Sequence, residues 1–68
     1  MYTYRVVDET GTALGTLEFD ELSVGECVAH DADVYRIKSV RIIGAATDNR
    51  RELRVAKTVD GVYTARLD

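Results

Sequence analysis

VYRIKSVRII, Val34 to Ile43, carries the decisive pattern of this chain. Its apolar residues are β-branched or aromatic and recur in steps of two, as a half-buried strand requires. The alternation then slips. Tyr35 and Ile37 share one face, yet Val40 and Ile42 continue the series one residue out of step. One extra residue near Ser39 returns both pairs to the inside, because a β-bulge sets two residues of one strand against one of its partner and bends the strand. A strand bent in its middle belongs to a curled sheet or a small barrel.

Working outward, the same period recurs on both sides. Tyr2, Tyr4 and Val6 alternate with Thr3, Arg5 and Val7 as a first strand, and Asp8 to Gly11 reads as a turn whose glycine takes positive φ. Leu14 to Phe19 is a second strand with Leu17 and Phe19 on one face. Asp20 to Ser23 has room for a single helical turn, with Leu22 and Val24 placed to plug a barrel end. Glu26 to His30 is the third strand, and Val34 to Ile43 the fourth. After a loop with Asp48 and Asn49 at its tip, Leu53, Val55 and Val59 mark a fifth strand that Lys57 interrupts. Asp60-Gly61 is the strongest hairpin signal, and it hands over to a sixth strand from Val62 to Leu67. The chain has no proline, no internal repeat and no window for a helix of two turns. The expected fold is all-β: one domain over residues 1–68, a five- to six-stranded barrel or curled antiparallel meander, with at most a helical turn near 20–23.

The segment VGECVAHDADVYRIKSV, Val24 to Val40, resembles the hairpin of small Src-homology-three-like barrels. Gly25, Glu26, Val28, Tyr35, Ile37 and Val40 are the matching positions, about a quarter of the chain; Asp33 stands where such barrels often carry glycine. The resemblance implies a binding or adaptor module rather than an enzyme, and transfers no functional residue.

The same hairpin holds the only cysteine and the only histidine, Cys27 and His30, followed by Asp31 and Asp33. A Cys-x-x-His spacing supplies half of a zinc site, but a structural site needs a second such pair. Residues three apart on a strand also point to opposite faces, which separates Cys27 from His30 and defeats a nucleophilic dyad as well. Asp31-Ala32-Asp33 is turn chemistry, and Cys27 a small part-buried hydrophobe. Glu18, Asp20, Glu21 and Glu26 lack the spacing of a calcium loop and read as a solvated acidic rim. Gly11 and Gly15 lack the Lys-Ser/Thr ending of a phosphate loop, and Ser23 and Ser39 sit in no nucleophile turn. The expectation is a non-enzymatic chain without metal or cofactor.

Charge is unevenly placed along the chain. Residues 1–33 carry one basic side chain against eight acidic ones, residues 34–68 eight against four, for −3 in all. Arg36, Lys38 and Arg41 should face outward on the bent strand, with Arg50, Arg51 and Arg54 around the next hairpin. These six are the candidate partner-binding residues, since the planar arginine fork suits carboxylate or phosphate. The expected partner is a protein or a second copy in a homo-oligomer, met through an Arg-rich strand face; the alternative is RNA or DNA held at its phosphates. Against nucleic acid stand the pI near 5.0 and an alternation that turns Tyr35 and Tyr63 inward, away from stacking. No apolar run exceeds three residues, so no membrane partner is expected, and the start of the chain lacks a leader pattern, which points to the cytoplasm.

Overall fold

The computed structural model describes residues 1–67. Its strands are β1 (Tyr2–Val7), β2 (Ala13–Phe19), β3 (Cys27–His30), β4 (Asp33–Ile42), β5 (Arg50–Thr58) and β6 (Ala65–Leu67), in one sheet of order β2-β1-β5-β4-β3-β6. The two ends of that sheet curl together. A Cβ on Gly15 of β2 would lie 3.6 Å from the Leu67 side chain of β6, an ordinary packing distance, so the two edge strands touch. The result is a small, nearly closed all-β barrel.

Alternation fills the interior. Tyr4, Val6, Val28, Ile37, Leu53, Val55, Ala65 and Leu67 form the core with Leu22, all but Ala65 essentially without solvent exposure. Each fully buried valine, leucine or isoleucine contributes roughly 1.5–3 kcal/mol. Two bulges curve the sheet. On β4, Ile37 pairs with Val55 and Ser39 with Arg54, which leaves Lys38 as the extra residue. The slip in the Tyr35–Ile42 pattern is thus a bulge beside Ser39; it puts Lys38 and Ser39 both outside and returns Val40 to the core, while Ile42 remains exposed at the strand end. On β2, Leu14 is extra between the Val6–Gly15 and Val7–Ala13 pairs.

The turns follow their side chains. In the β1–β2 loop the Asp8 carboxylate accepts from the Thr10 hydroxyl (2.6 Å) and the Thr10 and Thr12 amides (2.9 and 3.0 Å), and Gly11 takes a φ of 89°. These bonds, the Thr10 hydroxyl first, hold the Asp8 carboxyl below its ordinary value. The β3–β4 hairpin has the two-residue loop Asp31-Ala32, with Asp31 at a φ of 54°.

Four expectations are corrected. The helical turn is not at 20–23: a single 3-10 turn occupies Ala46–Asp48 and ends on Asn49 in the left-handed region. Residues 20–22 are instead tied to the Tyr4 hydroxyl, which donates to the Asp20 carbonyl (3.2 Å) and accepts the Leu22 amide (2.8 Å), seating Leu22 as the plug. Val24 does not join it and stays exposed. The sheet is also not a purely antiparallel meander, because β1 runs parallel to β5 and β6 parallel to β3. Finally, Asp60-Gly61 closes no hairpin. Both edges of β5 are occupied, by β1 and β4, so a sixth strand has no place beside it. The chain crosses the outside of β4 and β3 over residues 59–64 and joins β3 from the far side.

Candidate functional site

The outward positions of β1, β5 and β4 form cross-strand rows. In the middle row Thr16 of β2, Arg5 of β1, Glu52 of β5 and Arg41 of β4 lie side by side. The next row sets the buried Val7 beside Arg54 and Ser39, with the bulged Lys38 next to them. On the other flank Glu18, Thr3 and Arg50 align. Neighbouring strands are about 4.8 Å apart and outward residues of one strand about 6.7 Å apart, so these side chains share one continuous surface.

Of the six arginines and lysines expected to bind a partner, four reach this face. Lys38 and Arg54 are exposed and have neither an ion pair nor a side-chain hydrogen bond among the described residues. Arg41 is exposed and donates to Glu52 at 2.9 Å. Arg50 lies at the rim, 3.6 Å from the Asp48 carboxylate. Arg5, absent from the expected set, joins them from β1, exposed and likewise unpaired among the described residues. Its outward phase was visible between Tyr4 and Val6; its neighbourhood was not, because nothing in the pattern announces that β1 lies parallel to β5. Five cations against Glu52, Glu18 and, at the rim, Asp48 leave this face at +2, and the rest of the chain, −3 overall, at −5.

The other two cations have different roles. Arg51 has the inward phase, at the barrel end, where its guanidinium carbon sits 4.0 Å over the Tyr2 ring and its Nη1 lies 3.7 Å from Glu21. Arg36 bridges two loops: Nη1 donates to the Gly25 carbonyl at 2.8 Å and Nη2 to the Asp60 carbonyl at 3.4 Å. It thereby anchors the crossover on the outside of β4. Below it the chain is tight, since a Cβ on Gly61 would stand 3.0 Å from the Cys27 sulfur. The crossover carries Val59, Val62 and Tyr63 exposed, so Tyr63 does not face inward as the alternation suggested; Tyr35 is half-buried beside the core.

The Cys27–His30 hairpin assembles no ligand set, and no group of three His, Cys, Asp or Glu side chains placed to hold a metal occurs among the described residues. Cys27 is buried under the crossover. His30 packs against Tyr35, with its Nε2 3.5 Å from Asp31. The acidic rim is dispersed: Glu21 faces Arg51, Glu26 accepts the Ser23 amide at 3.3 Å, and Glu18 sits on the outer face of β2. Among the described residues no helix is long and apolar enough to cross a membrane. Comparison with protein-family models, with curated proteins and with solved structures finds no match to the chain.

Proposed function

We propose that this chain is a non-catalytic binding module, built in the manner of small Src-homology-three-like barrels, whose β1–β5–β4 outer face meets the acidic surface of a partner protein or of a second copy. One observation carries the reading: Arg5, Lys38 and Arg54 stand exposed on three adjoining strands with no carboxylate of their own among the described residues. A folded chain of net −3 that leaves three cations without an ion pair on one face, where Glu52 bonds Arg41 alone, while Asp33 pairs with Lys57 elsewhere, has a surface suited to carboxylates from outside. Complementary charge gives such a contact its orientation and its rate more than its affinity.

The test is a native capture from the chain's own cell extract, with and without nuclease, using wild type and a Lys38→Glu, Arg54→Glu variant. A defined protein that co-elutes with wild type in both halves, and is lost with the variant, supports the reading. A protein held equally by both chains removes it.

The second reading, a nucleic acid contacted through its phosphates, gains one observation. Tyr63 is exposed on the crossover that Arg36 anchors, which offers a stacking ring on the barrel exterior. Capture of nucleic acid, or of proteins that vanish with nuclease, would favour it.

A further inference from the structure

Building on the proposed face, we propose that Glu52 sets which anions it accepts, admitting separated carboxylates and turning away a continuous polyanion. Glu52 stands at the centre of the cations. Arg5 and Arg41 flank it in its own row, Arg54 and Arg50 lie two residues away along β5, and Lys38 lies on the bulge opposite Arg54. Its side chain is only 12% exposed while that of Arg41 is 69% exposed, so the carboxylate sits low between the arginines that project around it. The 2.9 Å bond from Arg41 Nη2 to Glu52 Oε1 turns that guanidinium toward the sheet.

The placement has a geometric consequence. A nucleic-acid strand presents a charge at every nucleotide, so a path that uses both Arg54 and Arg50 brings a phosphate past Glu52, which lies between them on β5. At roughly 7 Å and an effective dielectric constant near 40, the repulsion is worth about a tenfold loss of affinity. A protein surface carries its carboxylates on separate side chains. One can meet Arg54 and Lys38 on one side of Glu52 while another meets Arg5 and Arg50 on the other, with nothing opposite the glutamate. The like charge is therefore no obstacle to the acidic protein and a standing obstacle to the polyanion, which is how discrimination between related ligands is commonly achieved.

Glu52→Gln isolates the charge from the packing, since the amide keeps the length and an oxygen that accepts from Arg41. Wild type, Glu52→Gln and the double variant Glu52→Gln, Arg54→Glu are compared as full chains for binding of a labelled single-stranded oligodeoxythymidine over a salt series, with melting curves to verify the fold of each. The expected result is an affinity about threefold to tenfold higher for Glu52→Gln at low salt, with a steeper salt dependence, and loss of that gain in the double variant. Equal binding by wild type and Glu52→Gln overturns the proposal, as does a gain that persists in the double variant, because the gain must pass through this face. The capture experiment fails or succeeds separately: a protein partner lost with Lys38→Glu, Arg54→Glu would still support the face if Glu52→Gln bound the oligonucleotide no better.

Discussion

Arg36 and Arg54 occupy neighbouring rows of the same outer surface, on adjoining strands, and alternation assigns both the same outward phase. Their surroundings divide them. Over Arg36 the crossover doubles back, and two backbone carbonyls, from Gly25 and Asp60, take up its guanidinium. Over Arg54 no described segment passes, and its guanidinium has no partner among the described residues. On one half of the barrel exterior an arginine is part of the fold; on the other it remains open to a ligand. Facing outward tells where a side chain projects, and only the path of the remaining chain tells whether something there already uses it.

The largest way to break this contrast is to remove Arg36. Its two bonds are charge-assisted, one short and one long, and among the described residues they alone tie the Ser23–Gly25 turn to the crossover through a side chain. Arg36→Ala should cost about 2 kcal/mol in urea unfolding. Arg36→Lys should recover only part of that, since one ammonium cannot reproduce a fork that reaches two carbonyls. A loss below about 0.5 kcal/mol would put Arg36 back among the free surface cations. Reversing Arg36 is accordingly no clean probe of binding: it loosens the crossover at the same time.

A smaller effect sharpens the same side. Gly61→Ala places a methyl 3.0 Å from the Cys27 sulfur, and the crossover must lift to admit it. The expected cost is about 1 kcal/mol, the lower end for overpacking, because a loop yields more readily than a core strand. Cys27→Ala removes the obstructing atom, so the double variant should be less unstable than the two single losses added together. Additive losses would show that the contact is not what makes glycine necessary here.

These two residues also mark where sequence reading ends. The bulge at Lys38 was legible because a period-two pattern that changes phase has one simple structural cause, and the core followed from that period through Tyr4, Val6, Ile37, Leu53 and Val55. Pairing was not legible in the same way. Alternation assigns faces but not neighbours, so the parallel contacts of β1 with β5 and β3 with β6 left no trace in spacing. Asp60-Gly61 misled for that reason: a dipeptide suited to a hairpin makes one only where the preceding strand has a free edge. The role of Arg36 was hidden because its acceptors are backbone carbonyls 11 and 24 residues away, and any residue type supplies a carbonyl.

On the open side the smallest change in stability should accompany the largest change in recognition. Arg54→Glu removes no described bond, and its side chain is exposed, so unfolding should shift by less than about 0.5 kcal/mol. The substitution does bring a second carboxylate onto β5 two residues from Glu52, but Arg5, Arg41 and Lys38 surround the pair, which limits the repulsion. Binding of an acidic partner should nevertheless weaken, and weaken more at low salt than at high, since the lost attraction is one between exposed charges. Both quantities have to be measured on the same protein. If Arg54→Glu unfolded as easily as Arg36→Ala, Arg54 would have a structural task like that of Arg36, and the division of the barrel exterior into a closed and an open half would fail. If it unfolded like wild type yet kept its partner at every salt concentration, the open half would exist but would not be the surface through which the barrel is read.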